Sequence, residues 1–138
     1  MSESEKITIN MNVVELGKID LLVEQGFYSN RTDFIRTSIR NLLGSHAEVI
    51  EQTVARKSYV VGILVYNRKM LEAAKAAGKM LEIKVLGMAY ISDDVSPELA
   101  RATIQSLVVS GGIRAPKAVL EALADRMGNA GGFFQRTS

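Results

Sequence analysis

No cysteine occurs in the 138 residues, so neither a disulfide framework nor a thiolate metal site is available. Histidine occurs once, at His46, which reads as a surface residue because transition-metal sites draw on several His or Cys ligands. No metal and no cofactor is expected. No apolar run approaches the roughly 20 residues that a membrane-spanning helix needs. Proline occurs only twice and no low-complexity run is present, while 47% of residues are hydrophobic and 23% charged, as in an ordinary folded protein. Charge of one sign is also scarce. The net charge is +2, and residues 1–44 hold five basic side chains against six acidic ones. Nucleic-acid binders usually carry a larger basic excess, so a DNA reading has to rest on where the charges sit. The opening Met1-Ser2-Glu3-Ser4-Glu5 is polar and acidic, unlike a secretory signal, and a cytoplasmic location is expected. Nucleophile–base pairs, phosphate-loop glycines and zinc spacings are missing, and Gly111-Gly112 and Gly131-Gly132 are isolated pairs. No enzyme is expected.

What is present starts with Lys6-Ile7-Thr8-Ile9-Asn10-Met11-Asn12. Its alternation puts Lys6, Thr8 and Asn10 on one face of a strand and Ile7, Ile9 and Met11 on the other. A lone strand leaves its backbone groups unpaired, and no hairpin turn follows. The natural partner is the same strand of a second copy. A two-stranded ribbon with a polar face has the width of the DNA major groove.

Two helices follow. Asn12 and Glu15 form a capping-box pattern, Leu16, Ile19, Leu22 and Val23 give one apolar face, and Gly26 suits the left-handed residue after a helix. Asn30 caps a second helix with Asp33 in its first turn, and Gly44 ends it. Some 40 residues cannot bury enough surface to fold alone, so dimerisation is expected to supply the missing core.

Lys6-Ile7-Thr8-Ile9-Asn10-Met11 followed by Gly26-Phe27-Tyr28-Ser29-Asn30-Arg31-Thr32-Asp33-Phe34-Ile35-Arg36 resembles the ribbon-helix-helix domain of CopG/Arc/MetJ-type bacterial and archaeal regulators. The resemblance covers about a third of the chain. Val13 stands where many members carry proline, a favourable but dispensable residue at that position. The resemblance implies that Lys6, Thr8 and Asn10 read bases, by donation to guanine or bidentate bonding to adenine. It implies that Ser29, Asn30, Arg31 and Thr32 hold a phosphate at the start of the second helix.

Residues 45–57 read as a linker or connecting helix. Beyond them Ser58–Tyr66 is a buried-strand pattern, Asn67 caps a helix ending near Gly78, and Leu81–Ile91 is a strand interrupted at Leu86-Gly87 as by a bulge. Ser96-Pro97-Glu98 opens a helix carrying Leu99 and Ile104. Leu107-Val108-Val109 is a short strand broken by Gly111-Gly112, and Pro116 begins a last helix stopped at Gly128. Asp93-Asp94 reads as turn chemistry.

The expected fold is α+β: a ribbon-helix-helix unit at 1–44 (a dimeric two-stranded antiparallel ribbon plus helices), a small mixed α/β domain at 58–127, and a flexible tail at 128–138. In that tail Phe133-Phe134 reads as either a docking anchor or a mobile terminus. The expected function is a sequence-specific DNA-binding repressor that is a homodimer through its ribbon and a tetramer or larger through 58–127. The alternatives are a toxin-binding antitoxin and a plasmid-partition or DNA-organising accessory protein.

Overall fold

The computed structural model describes residues 4–128 and 136–137, so Gly131-Gly132 and Phe133-Phe134 lie outside the described residues. The chain divides into two compact units, Lys6–Thr53 and Met1–Glu5 with Val54–Ser138.

The first unit contains α1 (Val13–Glu24) and α2 (Arg31–Ser45). Local chemistry sets both ends of α1. Asn12 Oδ1 accepts from the amides of Val14 at 2.8 Å and Glu15 at 3.3 Å. At the other end Gly26 takes φ +87°, and the amides of Gly26 and Phe27 donate to the carbonyls of Val23 and Leu22. These are the two bonds of a Schellman stop, which glycine adopts without the steric cost of a Cβ. Residues 4–12 belong to no helix or strand in the single chain. The sequence pattern sets the side-chain alternation there, and a ladder requires a second strand.

The unit boundary falls within α3 (Ala47–Lys57). From there the second unit runs β1 (Val60–Tyr66), α4 (Arg68–Ala76), β2 (Leu81–Ile91), α5 (Pro97–Thr103) and β3 (Ile104–Ala115). It continues with α6 (Lys117–Leu123), a 3-10 turn (Ala124–Arg126), β4 (Met127–Gly128) and β5 (Arg136–Thr137). All strand pairings are parallel, in the order β1-β2-β3-β4, and β5 also pairs with β3. Spatial order follows chain order. With crossovers of one hand, such a sheet receives its helices on a single face. The core matches: Ile83, Val85, Ala89, Ile91, Leu107 and Ile113 are buried with Leu71 of α4, Ala100 of α5 and Val119, Leu120 and Leu123 of α6.

Several sequence expectations need correction. β1, expected as a buried strand, has no buried residue, and the last helix, expected to run to Gly128, ends at Leu123 with a 3-10 turn and β4 after it. The strand in β2 does not bulge at Gly87: Ile83, Val85, Ala89 and Ile91 are buried on either side of it, and the register shift lies between Leu81 and Glu82. Ile104 opens β3 rather than closing α5, and it is fully buried. Gly111-Gly112 does not break β3, which runs through both. The reason is tertiary. Gly62, Gly87 and Gly111 pair in register across three strands, all at positive φ (130°, 140° and 124°). A Cβ on Gly87 would sit 2.1 Å from the Gly62 carbonyl oxygen, and one on Gly111 would sit 2.0 Å from that of Gly87. The row lets neighbouring backbones approach where any side chain would part them.

Ends of the helical layer are tied by polar contacts. Asn67 Oδ1 accepts from Met70 N–H, and Asp94 Oδ1 accepts from Arg68 N–H at 3.1 Å, so the second aspartate of the pair steadies the start of α4. The guanidinium of Arg101 donates to Asp125 at 2.8 Å and to the Ala122 carbonyl, while that of Arg126 donates to the carbonyls of Arg101 and Ile104. The hydrogen bond from Arg101 holds the Asp125 carboxyl below its ordinary value of 3.8. A depressed folded-state pKa stabilises the fold above the unfolded value, and the gain is lost as pH falls through the folded one. Asp125→Asn is therefore expected to flatten part of the stability loss below that ordinary value, read as urea midpoints over an acid series. An unchanged acid profile would show that the pair contributes nothing.

Candidate nucleic-acid interface

Lys6, Thr8 and Asn10 are all exposed on the segment before α1. The alternate residues Ile7 and Ile9 are also exposed, at 67% and 70%. In water alone that arrangement is unfavourable. Nearby, Met11, Ile19, Leu22 and Phe34, with Glu15 and Lys18, line an open, mostly apolar groove of about 220 Å³. The ring of Tyr28 meets that of Phe34 edge-on, with centroids 5.0 Å apart, which joins the interhelical turn to α2. Ile19 is the only buried hydrophobic side chain in residues 6–53.

At the start of α2 the polar groups are partly committed to one another. Asn30 Oδ1 accepts from Asp33 N–H at 2.7 Å, and Asp33 Oδ2 accepts from Ser29 N–H at 2.9 Å. Arg31 donates with both arms of its guanidinium to Asp20 of α1, Nε to Oδ1 at 2.7 Å and Nη2 to Oδ2 at 2.8 Å. This fork lowers the Asp20 pKa and raises that of Arg31. Thr32 is exposed. The amides of Arg31 and Thr32 lie in the first helical turn, where no intrahelical acceptor exists and the helix dipole is positive.

The four residues expected to hold phosphate thus come together in space, but two of their donors already serve carboxylates: Ser29 N–H binds Asp33, and the Arg31 guanidinium binds Asp20. Asp20 was missed by sequence reasoning. Nothing in helical periodicity links it to a residue eleven positions on across a turn. The capping role of Asp33 was legible, but not its hold on the Ser29 amide. His46 caps the end of α2, and among the described residues no group of three His, Cys, Asp or Glu side chains converges as a metal site. No helix is long and apolar enough to cross a membrane among those residues.

Residues 2–120 match the family model described as the ribbon-helix-helix transcriptional regulator family, so the match extends through most of the second unit. No curated protein and no solved structure matches the chain.

Proposed function

Since the chain belongs to the ribbon-helix-helix transcriptional regulator family, a family of DNA-binding regulators, we propose that it is a sequence-specific repressor that binds double-stranded DNA as a homodimer. Two copies of residues 6–12 pair as an antiparallel ribbon that enters the major groove. Lys6, Thr8 and Asn10 read base edges. The first turns of the two α2 helices hold phosphates on either side and fix the register.

The observation that carries this reading is the near-absence of a core in residues 6–53. Ile19 alone is buried there, while Val13, Phe27, Leu42, Ile7 and Ile9 are 64–80% exposed. Complete burial of one such side chain is worth about 1.5–3 kcal/mol. A second copy offers that burial, and pairing gives residues 6–12 the strand ladder they lack in one chain in the same step. The second unit has a core of its own, which favours a role in joining ribbon dimers into a tetramer over that of an antitoxin segment folding on a toxin.

The Asp20–Arg31 pair gives a test of the phosphate contact. Asp20→Asn leaves the shape of the pair and removes the charge that competes with phosphate for the guanidinium. DNA affinity is expected to rise several-fold, and log K against log salt to steepen by about 0.9 per protomer for the one added phosphate contact. Fluorescence anisotropy on a selected duplex across a salt series reads both. If affinity and slope both stay at the wild-type values, Arg31 is not a phosphate ligand.

A further inference from the structure

We propose that β1 is an assembly edge: it pairs antiparallel with β1 of a second copy and joins two ribbon dimers through a continuous sheet. The proposal specifies the surface behind the tetramer described above and rests on that reading for the number of edges each dimer presents.

Composition gives the first argument. β1 is Val60-Val61-Gly62-Ile63-Leu64-Val65-Tyr66, seven residues at the end of the strand order with no charge and no proline. Free edges in soluble proteins are normally blunted by lysine, proline, a bulge or very short length. The strands beyond β3, β4 and β5, are two residues each. β1 has none of these protections.

Burial gives the second. Val60 is 47% exposed, although Val85, its register partner one strand inward, is fully buried. Ile63 is 44% exposed against 4% for its partner Met88. Val61 and Val65, on the same face as Ile63, are 64% and 50% exposed. On the helix-bearing face Leu64 and Tyr66 pack against the core and Val60 does not, while on the opposite face the apolar layer stops unfinished at this strand.

Backbone shape gives the third. At Gly87 and Gly111 the missing Cβ makes room for the carbonyl of the preceding strand, whereas at Gly62 the same position opens on nothing within 4 Å. The edge has a notch at which another backbone can approach.

A second copy fits this edge better than a foreign chain. The strand is self-complementary: pairing about its central residue, Ile63, sets Val61 against Val65 and Ile63 against itself, with no like charges opposed. The contact is also small. A seven-residue strand is about 23 Å long, and one such pairing falls below the ~800 Å² per partner of a free-standing complex. Each ribbon dimer carries two β1 edges, so two dimers can make the contact twice, and the second pairing is intramolecular.

The absence of cysteine makes the test clean. Full-length Ile63→Cys is expected to cross-link to a second copy with a short bifunctional maleimide, since symmetric pairing puts the two Cβ atoms roughly 4.5–5.5 Å apart, just beyond an unstrained disulfide. In light scattering the wild-type chain should have the mass of four copies. The double variant Val61→Lys, Val65→Lys, changed only at exposed positions, should have the mass of two, with unaltered circular dichroism and retained DNA binding. A wild-type dimer, a double variant that stays tetrameric, or no cross-link at Ile63→Cys would each overturn edge pairing. If DNA binding persists in those cases, the ribbon reading stands. Cross-linking in a wild-type chain that binds no duplex would keep the edge and remove the ribbon.

Discussion

Alanine at Gly87 or Gly111 is expected to unfold the second unit. At φ +140° and +124° an L side chain is strained before any contact is considered. The added methyl would then lie 2.1 or 2.0 Å from a backbone carbonyl oxygen of the adjacent strand. Relief by side-chain rotation is impossible, because both colliding groups are fixed in the ladder. The strands must separate, which costs ladder hydrogen bonds and opens the core around Val85, Ala89 and Ile113. Such losses exceed about 4 kcal/mol, against a typical total stability of roughly 5–15 kcal/mol. Gly17→Ala is the control. That glycine is in α1 with nothing within 4 Å of a new Cβ, and the change should stabilise by roughly 0.5–1 kcal/mol. Urea denaturation followed by circular dichroism separates the two. A Gly87→Ala protein that melts like wild type would show that the glycine row is not required.

The second large effect concerns DNA. Replacing Lys6, Thr8 and Asn10 together by alanine should reduce binding of the preferred duplex to that of a random one. Specific complexes are typically about 10³-fold or more tighter than non-specific ones, and that whole ratio is at stake. The three side chains are exposed, so dimer mass and thermal stability should not change. Asp20→Asn differs in kind: it acts on a phosphate contact and should shift all sequences alike. Anisotropy titrations of the triple variant on selected and random duplexes measure the ratio directly. Retained discrimination would place base reading elsewhere in the chain.

These predictions draw on different levels of the molecule, and so does the legibility of its fold. Helix boundaries could be read from the chain because capping spans four or five residues. Asn12, Gly26, Asn30, Asn67 and Ser96 all cap or stop helices where the sequence places them. The alternation of Lys6 to Asn12 is equally local. In the second unit the βαβαβα order was legible from apolar runs and caps, but the course of β3 was not. Gly111-Gly112 is a break by every local rule, and it is the register with Gly62 and Gly87 that makes Gly111 a strand residue.

The sequence by itself determined where α1, α2, α4 and α5 start and where α1 stops, which face of residues 6–12 is polar, and that one copy of the first unit has too little core. Each follows from side-chain chemistry within a few positions. Only the tertiary structure decided that the sheet is wholly parallel with strands in chain order, that glycines from three strands stack, and that Asp20 holds Arg31. Those depend on groups far apart in sequence meeting at fixed distances, and strand register and ion pairing across a turn leave no local periodicity to read.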